Sequence, residues 1–503
     1  MDAFGDGLKR LCAVVAAQTA TEAARQVRQA LRETPTVELR LDWLRNDSER
    51  ARFLKWLKTN APRKATFLAT CRRKEGGGRF SGDIAAELFW LMQARDAGCS
   101  WCDVEVETMR ELPDCSIRGF AVPPKILLSI HDFERTPKLP RTVASPVCGE
   151  VDAVKIAAAA HSIEDSLRLL RLARRSGNFV AVPMGEAGLP ARVLALRDGS
   201  ALAYAPVMEA TAPGQVGLDA LKRLYRAHQL TRRTKVFGVI GDPIGHSLSP
   251  VMHNAGYIAR GVDAVYLPFL VRRLRDFLDA VGELGVHGFS VTLPHKQAIL
   301  RHLDSCEPLA AEIGAVNTVV VRRDGALHGW NTDYVGVLRA LQSKLRLRGT
   351  RALICGAGGS ARAAAFALVR AGAHVTICAR REATAKSLAR AAGGEAIPRR
   401  ALRSRHFDLI LNATPIGMHP KSGASPLQAR ELNCRVVMDL VYRPQRTELL
   451  KIAQRKGITT VSGAEMFLAQ GFAQWQIWLG TRAPEAAMRK AVLRALRSAE
   501  LAR

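Results

Sequence analysis

Two stretches combine residue types that are costly to place unless they do chemistry. The first is VDAVKIA (151–157), an apolar, strand-forming run with Lys155 inside it. An ammonium buried there without a partner tends to lose its proton. The neutral amine is a nucleophile that adds to ketones and forms a Schiff base. A lysine paired with a neighbouring carboxylate is the bland alternative. His131, in LLSIHDF (127–133), follows another apolar run, and an imidazole near such an amine can shuttle a proton. The second stretch is ALICGAGGSARAAAFALVR (352–370): a strand, clustered glycines, then a helix. Strand, glycines and helix in that order form a dinucleotide-binding fingerprint, with the pyrophosphate facing the helix N-terminus. Gly356 permits the tight turn, Gly358 allows close backbone approach, and Ala361 fills the last position. The next strand, Val375–Cys378, ends in Ala379-Arg380-Arg381. No acid stands there for a ribose 2′-hydroxyl, and two guanidiniums suit a 2′-phosphate, so the spacing predicts NADP; Glu382 is the one opposing charge.

These residues need elements to hold them. A chain of 503 residues exceeds a single core, which predicts two to four domains. In the first half, strands are predicted at Cys12–Ala16, Val37–Leu41, Thr66–Thr70, Trp101–Val104, Ile126–Ser129, Ala153–Ile156, Phe179–Pro183 and Ala201–Tyr204, with helical stretches between many of them. Eight such units predict a parallel (β/α)8 barrel, whose chemistry gathers at the C-terminal strand ends. The unusual polar residues fall there: Glu38 and Arg40, Arg72 and Glu75, Asp103 and Glu105, then His131, Lys155, Arg192 and Gln215. A basic connector, Thr231–Thr234, leads into a strand at Val236–Ile240 and the turn GDPIGHSLSP. Beyond it the pattern predicts a compact α/β substrate domain and then a Rossmann domain. The predicted boundaries are 1–231, 235–345 completed by 464–503, and 346–463.

Composition narrows the partners. The net charge of +28 hints at nucleic acid, but the basic residues are spread over the chain and aromatics make up only 6%. An anion-attracting surface is the better account, with no nucleic-acid partner. No apolar run approaches the ~20 residues of a membrane span. Leu11–Ala17 could pass for a weak signal peptide, but turn and cap residues and an amphipathic segment follow, so strand then helix is predicted. The ten cysteines form no framework and no metal-site spacing; a cytoplasmic protein without a metal is expected, of undetermined oligomeric state.

The first half resembles type I 3-dehydroquinate dehydratase. The likeness rests on VELRLD (37–42), TCRRKEGG (70–77), SIHDF (129–133), VKIA (154–157) and TAPGQ (211–215), in that order. It implies that Lys155 forms an iminium with the C3 ketone of 3-dehydroquinate and that His131 moves the proton. It also implies that Glu75 holds His131, that Arg192 takes the carboxylate, and that Glu38, Arg40, Arg72, Thr211 and Gln215 bind the remaining polar groups. Thr211 replaces the family's usual serine and keeps its hydroxyl.

The second half resembles shikimate dehydrogenase through GDPIGHSLSP, SVTLPHK, GAVNT, NTDYVG, GAGGSARA, NATPIGM and AEMFLAQ. The resemblance implies that Ser247 and Ser249 bind the carboxylate of 3-dehydroshikimate. Thr292, Asn317, Tyr442 and Gln470 would hold ring hydroxyls or the carboxylate, and Lys296 and Asp333 would flank the reacting oxygen. Gly356, Ala357, Gly358, Gly359, Ser360, Ala361, Arg380, Arg381, Asn412, Thr414, Leu440 and Gly463 would line the NADP site. Taken alone, Lys296 and Asp333 each have a bland alternative: a surface lysine for Lys296, and for Asp333 a helix cap, which fits it equally well. The expected whole is a bifunctional enzyme for two consecutive steps. The alternatives are a catabolic quinate/shikimate dehydrogenase, and a metabolite sensor, which would be expected to have lost at least one of these catalytic groups.

Overall fold

The computed structural model describes residues 4, 7–111, 124–137, 151–175, 177–208, 216–419 and 421–501. The chain divides into two compact units, Met1–Thr234 with Arg275–Ala280, and Lys235–Leu274 with Val281–Arg503.

In the first unit, eight strands run β1 (Leu11–Val15), β2 (Thr36–Arg40), β3 (Thr66–Thr70), β4 (Trp101–Glu105), β5 (Lys125–Asp132), β6 (Ala153–Ala159), β7 (Phe179–Met184) and β8 (Ala203–Pro206). All paired neighbours are parallel, in the order β7-β6-β5-β4-β3-β2-β1-β8. Ala201 N–H donates to the Phe179 carbonyl at 2.7 Å, so β7 and the approach to β8 nearly close the ring. This is the expected (β/α)8 architecture. The N-terminal apolar run is β1, buried throughout, and the next helix, Ala20–Leu31, starts where Thr19 Oγ1 accepts from the Glu22 N–H. The helix Ile163–Ala173 opens with a capping box between Ser162 and Asp165. Strand β5 runs three residues beyond the predicted Ser129, so His131 lies within it rather than after it.

The second unit holds two sheets. The first contains β9 (Lys235–Gly241), β10 (Ala264–Leu270), β11 (Val286–Val291), β12 (Ser305–Cys306), β13 (Thr318–Val321) and β14 (Leu327–Trp330), ordered β10-β9-β11-β13-β14-β12. The second contains β15 (Arg351–Cys355), β16 (His374–Cys378), β17 (Glu395–Ala396), β18 (Phe407–Asn412), β19 (Cys434–Asp439) and β20 (Thr459–Val461). It is parallel throughout, in the order β17-β16-β15-β18-β19-β20. Its chain order reverses between β15 and β18, where a doubly wound sheet opens a ligand crevice. The last helices, Gly463–Leu479 and Glu485–Leu501, return to the first sheet: Phe467, Phe472, Trp475, Met488 and Val492 share a buried core with Phe237, Met252 and Tyr257. Among the described residues, no helix is long and apolar enough to cross a membrane.

Candidate active sites

Strand alternation builds the barrel site. Successive side chains point to opposite faces, so Asp103 and Glu105 share one face of β4, and Ser129 and His131 share one face of β5. The register sets Glu105 beside Ser129, and Ser129 beside Lys155 on β6. His131 therefore lies one step beyond Lys155 toward the C-terminal end. A cavity of about 420 Å³ is lined by Glu38, Arg40, Arg72, His131, Lys155 and Arg192, with Tyr204 among the other lining residues.

Lys155 is buried, but it is not unpaired. Its Nζ donates to Asp103 Oδ2, and it stands 5.2 Å from the centre of the Tyr204 ring. The expectation of a partnerless amine is thus corrected: β4 and β6 flank β5, and their C-terminal halves converge on the same interior. Ser129 Oγ donates to the other Asp103 oxygen. Burial alone would raise the Asp103 carboxyl, but Lys155 and then Arg72 outweigh it and hold it below its ordinary range.

His131 Nδ1 lies 2.9 Å from Glu105 Oε2, and Arg72 Nε donates to Glu105 Oε1 at 2.7 Å. Glu105 has a side chain only 7% exposed. Glu75 does not hold the histidine: its side chain is 74% exposed, with Arg73 at 4.0 Å. The reason is topological. Glu75 lies in the short helical turn Lys74–Gly76 after β3, two strands from β5, whereas Glu105 ends the adjacent strand. Burial, then the charges of Arg72 and Lys155, push the His131 pKa well below its ordinary value, so the ring is neutral near pH 7. Burial also raises Glu105, with the Asp103 charge adding to it and Arg72 opposing it.

Among the other predicted residues, Glu38 accepts from Thr70 Oγ1 at 2.7 Å, and Arg40 makes two bonds to Asp42, at 2.8 and 2.7 Å. Arg192 comes from the helix Leu189–Leu194 after β7; its Nε donates to the Pro183 carbonyl at 2.5 Å, and burial pushes its guanidinium down to about 10. Thr211 and Gln215 lie outside the described residues.

In the second unit a cleft of about 300 Å³ brings together Ser247, Ser249, Thr292, Lys296, Asn317, Asp333, Tyr442 and Gln470. They come from distant points in the chain: the turn after β9, the turn after β11, the approach to β13, the first residue of helix Asp333–Leu341, the loop after β19, and helix Gly463–Leu479. Lys296 Nζ donates to Asp333 Oδ2 at 2.5 Å and to Ser360 Oγ at 3.1 Å. Asn317 Nδ2 donates to the other Asp333 oxygen at 2.7 Å. The Thr292 N–H donates to Ile240 at 3.0 Å, which ties its turn to β9. Gln470 Nε2 donates to the Phe467 carbonyl at 2.8 Å. The Tyr442 ring stacks on Phe467 at 4.6 Å, and Tyr442 lines the cleft together with Ser247.

The glycine turn fits a dinucleotide. Gly356 has φ +115°, a region unfavourable for other residues, and an added Cβ there would meet the Ala413 carbonyl at 3.0 Å. At Gly358 an added Cβ would meet nothing within 4 Å, which leaves open space in front of the helix. That helix starts at Gly359, with Gly358 as its cap; Ala357 lies in the turn and Ala361 packs inside. Across the crevice, Asn412 Oδ1 accepts from the Thr414 N–H and hydroxyl at 3.0 and 2.7 Å. Gly463 packs tightly on Leu440, whose carbonyl would be 2.6 Å from an added Cβ. Arg380 and Arg381 are exposed just past β16, as a 2′-phosphate would need. Among the described residues, no cluster of His, Cys, Asp or Glu is placed to hold a metal.

Fold and sites together define a fusion of a lysine-dependent lyase barrel with an NADP-linked oxidoreductase. A family model for type I 3-dehydroquinase matches residues 11–232, one for the shikimate dehydrogenase substrate binding domain matches 239–319, and one for the shikimate 5′-dehydrogenase C-terminal domain matches 463–493. A chloroplastic bifunctional 3-dehydroquinate dehydratase/shikimate dehydrogenase of Arabidopsis thaliana is 35% identical over 475 residues, 89% of this chain and 78% of that one. A shikimate dehydrogenase (NADP(+)) of Methanothermobacter thermautotrophicus is 42% identical over 53% of this chain and 99% of its own length. A crystal structure of a shikimate dehydrogenase in complex with NADP+ superposes with a TM-score of 0.50 at 36% identity, over 53% of this chain and 97% of that one. The chain belongs to the family of bifunctional 3-dehydroquinate dehydratase/shikimate dehydrogenases.

Proposed function

We propose that the barrel dehydrates 3-dehydroquinate through a Schiff base on Lys155, and that the second unit reduces the resulting 3-dehydroshikimate to shikimate. The observation that carries this is the placing of Lys155 and a neutral His131 on adjacent strands of one cavity. The Lys155 amine adds to the C3 ketone and water leaves, giving an iminium. The iminium acidifies C2. His131 takes the C2 proton as general base and returns a proton to the C1 oxygen, which leaves as water. Hydrolysis of the iminium then frees the product and the amine. Asp103 holds the lysine before addition, and Glu105 orients the imidazole. Arg192 grips the substrate carboxylate, a task suited to a guanidinium. Glu38, Arg40 and Arg72 take hydroxyls and the carboxylate, together with Thr211 and Gln215.

In the second site, Ser247, Ser249 and Tyr442 hold the carboxylate, while Thr292, Asn317 and Gln470 orient the ring. Bound NADPH supplies the hydride to C3. Lys296 gives a proton to the C3 oxygen as negative charge develops there, and Asp333, fixed by Asn317, orients the ammonium. The turn Gly356–Ala361 receives the pyrophosphate, Arg380 and Arg381 receive the 2′-phosphate, and Asn412, Thr414, Leu440 and Gly463 border the nucleotide. Both ligands are small anions, which suits the basic surface, and we assign no role to nucleic acid or a membrane. A cytoplasmic setting fits the buried, unpaired Cys99 and Cys102.

A coupled assay tests the reading. 3-Dehydroquinate with NADPH should consume the cofactor and yield shikimate, and NADH should serve far less well. No NADPH oxidation with 3-dehydroquinate or 3-dehydroshikimate would overturn it.

A further inference from the structure

The charges lining the reductase cleft do not balance. Lys296 is matched by Asp333. The groups assigned to the substrate carboxylate, on Ser247, Ser249 and Tyr442, are neutral hydroxyls. Arg443 lines the same cleft. Its side chain makes no hydrogen bond or ion pair with any described residue, and its Nε is closed off from solvent. A guanidinium partly withdrawn from water without an anion is costly, and its fork geometry matches a carboxylate.

Its position points to one end of the ligand. Arg443 directly follows Tyr442, and both line the cleft with Ser247 and Ser249. Burial raises the Tyr442 phenol above its ordinary range, and the charge of Arg443 is among the effects opposing the rise. The segment is fixed. Asp439 accepts from the Val441 N–H at 3.0 Å and from Thr447 Oγ1 at 2.6 Å, and the Arg443 carbonyl accepts from the His419 N–H at 3.2 Å. The cation is therefore presented by an anchored loop.

We propose that Arg443 is a further substrate-binding residue of the reductase cleft, supplying the positive charge that pairs with the substrate carboxylate beside Ser247, Ser249 and Tyr442. This rests on the assignment of the cleft to 3-dehydroshikimate. The alternative anion, a phosphate of NADPH, is separated by the test.

The test is steady-state kinetics on the full chain, wild type against Arg443→Gln and Arg443→Lys, varying 3-dehydroshikimate and NADPH in turn. Dehydration of 3-dehydroquinate by the same samples, and thermal unfolding, check that each variant is folded. Arg443→Gln should raise the KM for 3-dehydroshikimate by roughly tenfold to a hundredfold, the usual range for a lost hydrogen-bonded charge contact, with little change in the KM for NADPH. Arg443→Lys should recover part of the loss. A KM for 3-dehydroshikimate within twofold of wild type overturns the proposal, as does a larger rise in the KM for NADPH. A wild type that reduces no 3-dehydroshikimate overturns the underlying assignment as well.

Discussion

Each half of the chain sets a lysine against an aspartate, and the two pairs are asked for opposite chemistry. On the proposed mechanism, Lys155 with Asp103 must yield a nucleophilic amine, whereas Lys296 with Asp333 must keep a proton to give away. The pair itself does not decide the outcome; its surroundings do. Lys155 is held in mid-strand with a side chain 4% exposed, an aromatic face nearby and a neutral histidine one step along the next strand. A proton lost there has a nearby acceptor. Lys296 stands in a turn at the cleft, 16% exposed, with Asp333 and Ser360 as partners and no second base among them. Its proton can go to a developing oxyanion.

The comparison breaks most sharply at the nucleophile. Lys155→Ala should abolish dehydration of 3-dehydroquinate and leave reduction of 3-dehydroshikimate intact, with each activity measured separately. Residual dehydration near the wild-type rate would remove the covalent step from the account. Lys296→Ala should do the converse, lowering kcat for reduction on the order of 10³-fold through loss of the proton donor. Loss of both activities in either variant would argue against independent sites.

The residues around the first pair give a finer contrast. Glu105→Gln should cost dehydration about tenfold to a hundredfold by loosening the His131 ring, whereas Glu75→Gln should change kcat by less than about twofold. The opposite ranking would restore Glu75 as the histidine's partner. The pH profile comes last. A base works in its unprotonated form, and His131 is shifted below its ordinary 6.5. The acid limb of kcat/KM for dehydration should therefore lie below pH 6.5; a limb centred at or above that value would contradict a buried, cation-flanked imidazole.

Much of this was legible in the chain. Strand β3 falls on the predicted residues because Thr66–Thr70 is a short apolar run bounded by polar turns. The glycine fingerprint located the crevice because that turn tolerates few other residues. The partners of the lysine and the histidine were harder to see. Asp103 and Glu105 stood out as polar residues in a strand, and their two-residue spacing already placed them on one face. Only the ring order, however, sets β4 beside β5 and brings that face to His131 and Lys155. Glu75, in a motif with a family resemblance, was the stronger signal along the sequence and the weaker one in space. Arg443 had no sequence signal, since a missing partner shows only once the neighbours are placed.

The contrast between the two lysines reduces to one measurement. Sodium borohydride added to the full chain with 3-dehydroquinate, followed by peptide mass mapping, should show the reduced adduct on the peptide containing Lys155 and none on the peptide containing Lys296. An adduct on Lys296, or on neither lysine while dehydration proceeds, would contradict the assignment of nucleophile and proton donor.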